Sequence, residues 1–145
     1  MISGCSVVTR PSASAPDDAV AARAAELPAG DPRGHVVLGA LCLPGAGERM
    51  DELIADARAR GGKVLAGGTR DGAFFPGTVL TGVTPEMDAY REELFGPVAA
   101  VYRVSSDEEA LHLANDTQYG LGGAVFSQDT ARAQRLAERL EVGMA

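Results

Sequence analysis

Arg91-Glu92-Glu93-Leu94-Phe95-Gly96-Pro97-Val98 is the stretch on which the reading of this chain turns. Two adjacent carboxylates come first, then an aromatic ring, a Gly-Pro pair and an apolar run. Gly-Pro marks a bend, because Gly96 accepts almost any backbone angle and Pro97 fixes its own. Residues 98–104 are apolar and β-branched enough for a strand. The bend is therefore expected to hold Glu93 and Phe95 at the mouth of whatever sheet that strand joins. Taken alone, the same residues describe a polar loop ending at a strand, with Phe95 a packing residue.

Working outward, residues 5–10 suit a short buried element and residues 16–27 a helix that stops at Pro28. Pro16 belongs in a first helical turn, and Asp17 and Asp18 suit the positive end of the helix. Gly30-Asp31-Pro32 is a turn. The clearest helix carries Met50, Leu53, Ile54 and Ala57 at i, i+3, i+4 and i+7, one apolar stripe closed off by Gly61-Gly62. Short strands follow at 63–65 and within 75–80, and Thr84-Pro85-Glu86 turns the chain toward the central bend. Ser106 with Glu109 matches a capping box and opens a helix through Ala114. After Asn115-Asp116-Thr117, the run Tyr119-Gly120-Leu121-Gly122-Gly123 is expected to lead into a buried strand, Ala124-Val125-Phe126. Asp129 then caps a last helix with Ala133, Leu136, Ala137 and Leu140 on one face, ended by Gly143. Helices alternate with strands, so the expectation is a layered α/β arrangement, and with no internal linker the chain reads as one domain over 1–145.

Composition narrows the function classes. The chain has 145 residues, 46% hydrophobic and 23% charged, with a formal net charge of −7. That acidity argues against a nucleic-acid or anionic-membrane surface, and no apolar run is long enough to cross a bilayer. Cys5 and Cys42 do not make a disulfide framework, so a reducing cytoplasm is the default compartment. The cysteines and the histidines His35 and His112 lack zinc spacing, so no metal is expected. Neither histidine has a positioned partner in sequence, and neither is read as catalytic. Cys42, within Leu41-Cys42-Leu43, reads as a core residue. Gly67-Gly68 and Gly122-Gly123 read as turns, since neither sits between a strand and a helix in phosphate-binding order. Asp107-Glu108-Glu109 reads as the charge of a helix N-terminus.

Glu93-Leu94-Phe95-Gly96-Pro97 resembles the cofactor-side signature of the aldehyde dehydrogenase superfamily, and the rest of the chain fits that pattern in order and spacing. The matching pieces include Lys63-Val64-Leu65-Ala66-Gly67-Gly68, Asn115-Asp116-Thr117, Tyr119-Gly120-Leu121, Val125-Phe126-Ser127 and Leu140-Glu141-Val142-Gly143. Residues 90–104 with 119–123 look most like succinate-semialdehyde dehydrogenases and their near relatives. The resemblance implies an α/β fold: the layered catalytic domain of aldehyde dehydrogenases, truncated, without the Rossmann-like cofactor domain. It implies NAD(P)-dependent oxidation of a small-molecule aldehyde to a carboxylic acid. Glu93 would accept hydrogen bonds from the nicotinamide ribose hydroxyls, a role suited to a carboxylate with acceptors on both oxygens. Phe95 would pack beside the nicotinamide ring and limit where it sits. The cofactor is NAD or NADP.

Cys5 is the candidate nucleophile by the same resemblance, which extends over Cys5-Ser6-Val7-Val8-Thr9-Arg10. The chemistry needs a thiolate that attacks the aldehyde to give a hemithioacetal, loses hydride to nicotinamide, and leaves a thioester for water to hydrolyse. The family's Gly-Gln ahead of the nucleophile is not matched here, where Ile2-Ser3-Gly4 stands. The resemblance further implies that the nucleotide-binding domain, the general-base carboxylate and the oxyanion amide come from outside these residues. Self-association, or reliance on a full-length dehydrogenase partner, is expected. The competing expectation is a non-catalytic relative that acts as an interaction module or survives as an inactive remnant.

Overall fold

The computed structural model describes residues 5–9 and 16–145, and for residues 5–9 and Pro16 it describes the backbone alone. Its elements run β1 (Cys5–Thr9), α1 (Pro16–Ala25), α2 (Ala46–Ala59), β2 (Lys63–Ala66), β3 (Thr78–Thr81), α3 (Asp88–Arg91), β4 (Val98–Arg103), α4 (Asp107–Asn115) and α5 (Thr130–Ala137). The described residues fall into two compact units. The first holds β1 as far as Val7 and the chain through Tyr102; the second holds residues 8–9 and the chain from Arg103 onward.

In the first unit the 3.6-residue stripe decides the packing. Met50, Leu53, Ile54 and Ala57 are each 1% exposed or less, so α2 buries the face that its apolar spacing defines. The helix ends where expected. Gly61 takes φ 98°, and the Gly62 N–H donates to the Ala57 carbonyl at 2.8 Å, satisfying one of the helix's last acceptors.

Four strands form one sheet in the order β1-β4-β3-β2. β2 runs antiparallel to β3 with an irregularity between Val64 and Ala66. β3 and β4 are parallel, with Thr78 opposite Val98 and Leu80 opposite Ala100. Alternation along the strands feeds both faces. Leu80, Val98 and Ala100 join the stripe of α2, while Val79 and Val101 pack with Ala21 of α1. The result is the expected helix-on-sheet layering, with a helix on each side.

A parallel pair needs a crossover, and residues 82–97 supply it. The crossover contains α3, a single turn too short to leave a periodic signal in its residues. Gly67 and Gly68 are turn residues as expected, with φ 65° and 81°. They also let the backbone approach buried Thr78, whose Oγ1 accepts the Gly68 N–H at 2.9 Å and donates to the Pro76 carbonyl at 2.9 Å.

In the second unit, α4 is capped as its sequence directs. Ser106 Oγ accepts the Glu109 N–H at 3.1 Å, and Glu109 Oε2 reaches back to the Ser105 N–H at 2.7 Å. Asp129 caps α5 by accepting the Arg132 N–H at 2.9 Å. The Arg132 guanidinium in turn grips Asp107 through two nitrogens, Nε at 2.7 Å and Nη2. Ala133, Leu136, Ala137 and Leu140 do share one face, but each is only half-buried, and the helix closes at Ala137.

The strand expected at 124–126 does not form. A strand needs a neighbour to take its backbone hydrogen bonds. The pairing this stretch finds nearby is made before it starts, by Gly143 N–H to the Gly120 carbonyl at 2.8 Å and Gly123 N–H to the Met144 carbonyl at 2.9 Å. Phe126, expected to be buried, is 93% exposed.

Candidate active site

The Glu93–Pro97 bend is built from short-range closures. The Phe95 N–H donates to the Glu93 carbonyl at 3.1 Å, the Gly96 N–H to the Leu94 carbonyl at 2.6 Å, and the Val98 N–H to the Gly96 carbonyl at 2.8 Å. Each links residues two apart, as in a γ-turn. The Pro97 carbonyl accepts the Thr78 N–H at 2.8 Å, which fastens the exit of the bend to β3.

Along this bend the residues alternate. Leu94 and Gly96 face inward and are buried, whereas Glu93 is half-buried and Phe95 is 50% exposed. The bend therefore presents a half-buried carboxylate and an open aromatic ring on its outer side. Glu93 is itself engaged in the structure.

The role of Gly96 differs from the one its sequence suggested. Its backbone lies outside the left-handed region, so conformational freedom is not what the position requires. Space is. A Cβ on Gly96 would fall 2.8 Å from Met50 Cε and 3.6 Å from Leu41 Cδ2.

Charged and aromatic neighbours flank the bend. Arg49 Nη2 lies 3.6 Å from Glu92 Oε2, a pair about half exposed on both sides and so a weak restraint. Tyr90 meets Tyr102 edge to face, with ring centroids 6.0 Å apart and planes at 88°, and the Arg91 guanidinium sits 4.8 Å above the Tyr90 ring. Burial, and secondarily Tyr90, push the Tyr102 hydroxyl up to about 12, so it stays protonated at neutral pH.

Cys5 opens β1, and β1 lies beside β4 in the sheet. The strand that starts at Cys5 is thus the neighbour of the strand that leaves the bend. The Cys5 side chain lies outside the described residues. Cys42 corrects the sequence reading: it is an exposed free thiol, not a core residue. Leu41, its apolar neighbour, points toward Gly96 and leaves Cys42 on the outer side. Cys42 lines an open concavity of about 370 Å³ with Glu48, Arg70 and Gly72, and neither Glu93 nor Phe95 reaches it.

His35 and His112 are exposed. Among the described residues, no group of three or more His, Cys, Asp or Glu is placed to hold a metal ion, and no helix is long and apolar enough to cross a membrane. Two residues near the bend and its entry have contacts that their place in the sequence does not reveal. One is Met50, legible as a stripe residue but not as the neighbour of Gly96. The other is Asp56, whose Oδ2 accepts the Asp88 N–H at 2.9 Å and so fixes the start of α3.

Comparison with known proteins places this geometry. The aldehyde dehydrogenase family model matches residues 1–145. The chain is 56% identical over 110 residues to the succinate-semialdehyde dehydrogenase [NADP(+)] of Deinococcus radiodurans, covering 74% of this chain and 23% of that protein. It is 47% identical over 126 residues to a vanillin dehydrogenase of a Pseudomonas species, covering 86% of this chain and 26% of the relative. The crystal structure of succinate-semialdehyde dehydrogenase from Burkholderia pseudomallei superposes with a TM-score of 0.81 at 43% identity, over 88% of this chain and 27% of that one. The chain thus spans about a quarter of the length of these relatives. The family match over the whole chain and the superposition agree: the chain has the aldehyde dehydrogenase fold over these residues and belongs to the aldehyde dehydrogenase family.

Proposed function

We propose that this chain, as one piece of an aldehyde dehydrogenase catalytic domain, contributes to NAD(P)-dependent oxidation of an aldehyde to a carboxylic acid. Succinate semialdehyde is the first substrate to test, because the relatives named above include two succinate-semialdehyde dehydrogenases. The observation that carries the reading is the outward presentation of Glu93 and Phe95 on a bend that feeds β4, the strand next to the one beginning at Cys5.

A half-buried carboxylate beside a half-exposed ring fits one side of a nicotinamide riboside. Glu93 would accept the ribose hydroxyls and Phe95 would border the ring. NAD(P), when bound, supplies the hydride acceptor. Cys5 would attack the aldehyde carbon as the thiolate, forming the C–S bond of a hemithioacetal. Hydride loss leaves a thioester, and water cleaves it to the acid and the free thiol. The cytoplasm, where thiols stay reduced, is the compartment that suits this nucleophile.

The test is NAD(P) reduction with succinate semialdehyde and with aromatic aldehydes, by the protein alone and supplied with the nucleotide-binding portion of a relative. Cys5→Ala should abolish turnover, and Glu93→Gln should weaken dinucleotide binding about tenfold. Turnover that survives Cys5→Ala overturns the proposal.

A second reading is favoured by Leu121, Phe126 and Met144, which are 90%, 93% and 73% exposed. Apolar side chains this open fit a surface for a second copy or for a full-length dehydrogenase. Co-purification of a dehydrogenase with the wild-type chain, lost in Phe126→Ser, supports that reading; a strictly monomeric, partnerless chain removes it.

A further inference from the structure

We propose that Met50 is a positioning residue for the Glu93–Phe95 bend, setting how far that bend stands out from the sheet; the functional side of this inference rests on the reading of the bend given above.

The argument begins with the alternation along the bend. Leu94 and Gly96 make up its inner side, Glu93 and Phe95 its outer side. Leu94 is 5% exposed and belongs to the same buried cluster as Met50. Gly96 offers no side chain, and the space a Cβ would need is filled by the Met50 methyl at 2.8 Å. The short closures from Glu93 to Val98 leave the bend little internal slack. Whatever lies behind Gly96 therefore determines the height at which the outer pair is displayed.

Met50 ends in a flexible thioether, so it holds that methyl in place only through the filled core around it. It is 1% exposed, and it stands on a helix whose other stripe residues, Leu53, Ile54 and Ala57, are all buried. Close-packed interiors transmit such displacements instead of absorbing them. Arg49, the preceding residue, faces Glu92, so successive residues of α2 address both the entry and the inner side of the bend.

The test is a compensation experiment on the whole protein. Gly96→Ala adds the methyl group that meets Met50 Cε, and Gly96→Ala with Met50→Leu, which removes Cε but keeps a buried side chain of similar volume, gives that methyl its space. Hydrogen exchange of the peptide covering 92–98 reports the bend, and NADPH binding reports its use. Gly96→Ala is expected to speed exchange in that peptide and to weaken NADPH binding about tenfold, and the double variant to return both toward wild type. Exchange left unchanged by Gly96→Ala, or a double variant no better than the single one, overturns the buttress. Exchange that responds while NADPH affinity does not overturns the positioning role. Glu93→Gln, which leaves Met50 and Gly96 intact, separates the two: unchanged NADPH affinity in that variant rejects the cofactor reading of the bend itself.

Discussion

Asp56, in the last turn of α2, accepts the backbone N–H of Asp88 at 2.9 Å through Oδ2 while its Oδ1 accepts Arg60 Nε at 2.6 Å. One carboxylate thereby ties the start of α3, the turn that precedes the bend, to the long helix beneath it. The Arg60 guanidinium first, and then the Asp88 N–H, hold the Asp56 carboxyl below the usual aspartate range.

A group whose folded value is depressed stabilises the fold above its unfolded value and loses that contribution as pH falls through the folded one. Asp56 therefore supports the fold at neutral pH; that support begins to fall below the ordinary aspartate value of about 3.9 and is gone only below the depressed folded one. Asp56→Asn is expected to lower stability at pH 7 and to narrow its gap from wild type as the pH drops below about 4. Urea midpoints at both pH values check this; a gap that widens in acid contradicts it.

Gly67→Ala should be strongly destabilising. The residue holds φ 65°, and a Cβ would come 2.4 Å from Thr78 Oγ1 and 2.6 Å from the Gly77 carbonyl. Left-handed strain alone costs roughly 1 kcal/mol or more, and the collision adds to it. The comparison is Gly72→Ala, where φ is 59° but nothing lies within 4 Å. Thermal melts should place Gly67→Ala well below Gly72→Ala, and equal values would refute the steric account.

In the second unit, Asn115 closes the chain on itself. Its Nδ2 donates to the Arg139 carbonyl at 3.0 Å and its Oδ1 accepts the Glu141 N–H at 3.0 Å. Asn115→Ala removes both bonds and should cost about 1–2 kcal/mol. The effect should be local, seen as faster amide exchange at Glu141 and its neighbours, with the exchange of α2 unchanged.

The thiols should behave differently. Cys42 is exposed, so it should react readily with a thiol reagent under native conditions, and Cys42→Ser should leave aldehyde oxidation intact. Loss of activity in Cys42→Ser but not in Cys5→Ala would reverse the assignment of the nucleophile.

Much of the first unit was legible because its signals are local and periodic. The stripe Met50, Leu53, Ile54, Ala57 names both a helix and its buried face, and Gly61-Gly62 names its end. Caps are as local, which is why Ser106 and Asp129 could be assigned from spacing alone. The segment 124–126 was misread because an apolar run reports a preference for burial, whereas a strand exists only with a partner beside it. Cys42 was misread for a related reason. Apolar neighbours on both sides do not say which way an irregular segment turns its side chains.

The chain's order of residues by itself determined four of the helices, the end of α2 and the caps that open α4 and α5, the layered α/β class and the resemblance of 93–97 to a cofactor-side bend. Tertiary structure alone decided that Gly96 is needed for space against Met50, that Asp56 anchors α3, and that β1 lies beside β4. Helix propensity, capping and amphipathic spacing act within a few residues and can be read from them. Which side chain stands behind a bend, or which strand lies next to another, depends on contacts between residues far apart in sequence, and only the packed chain brings those together.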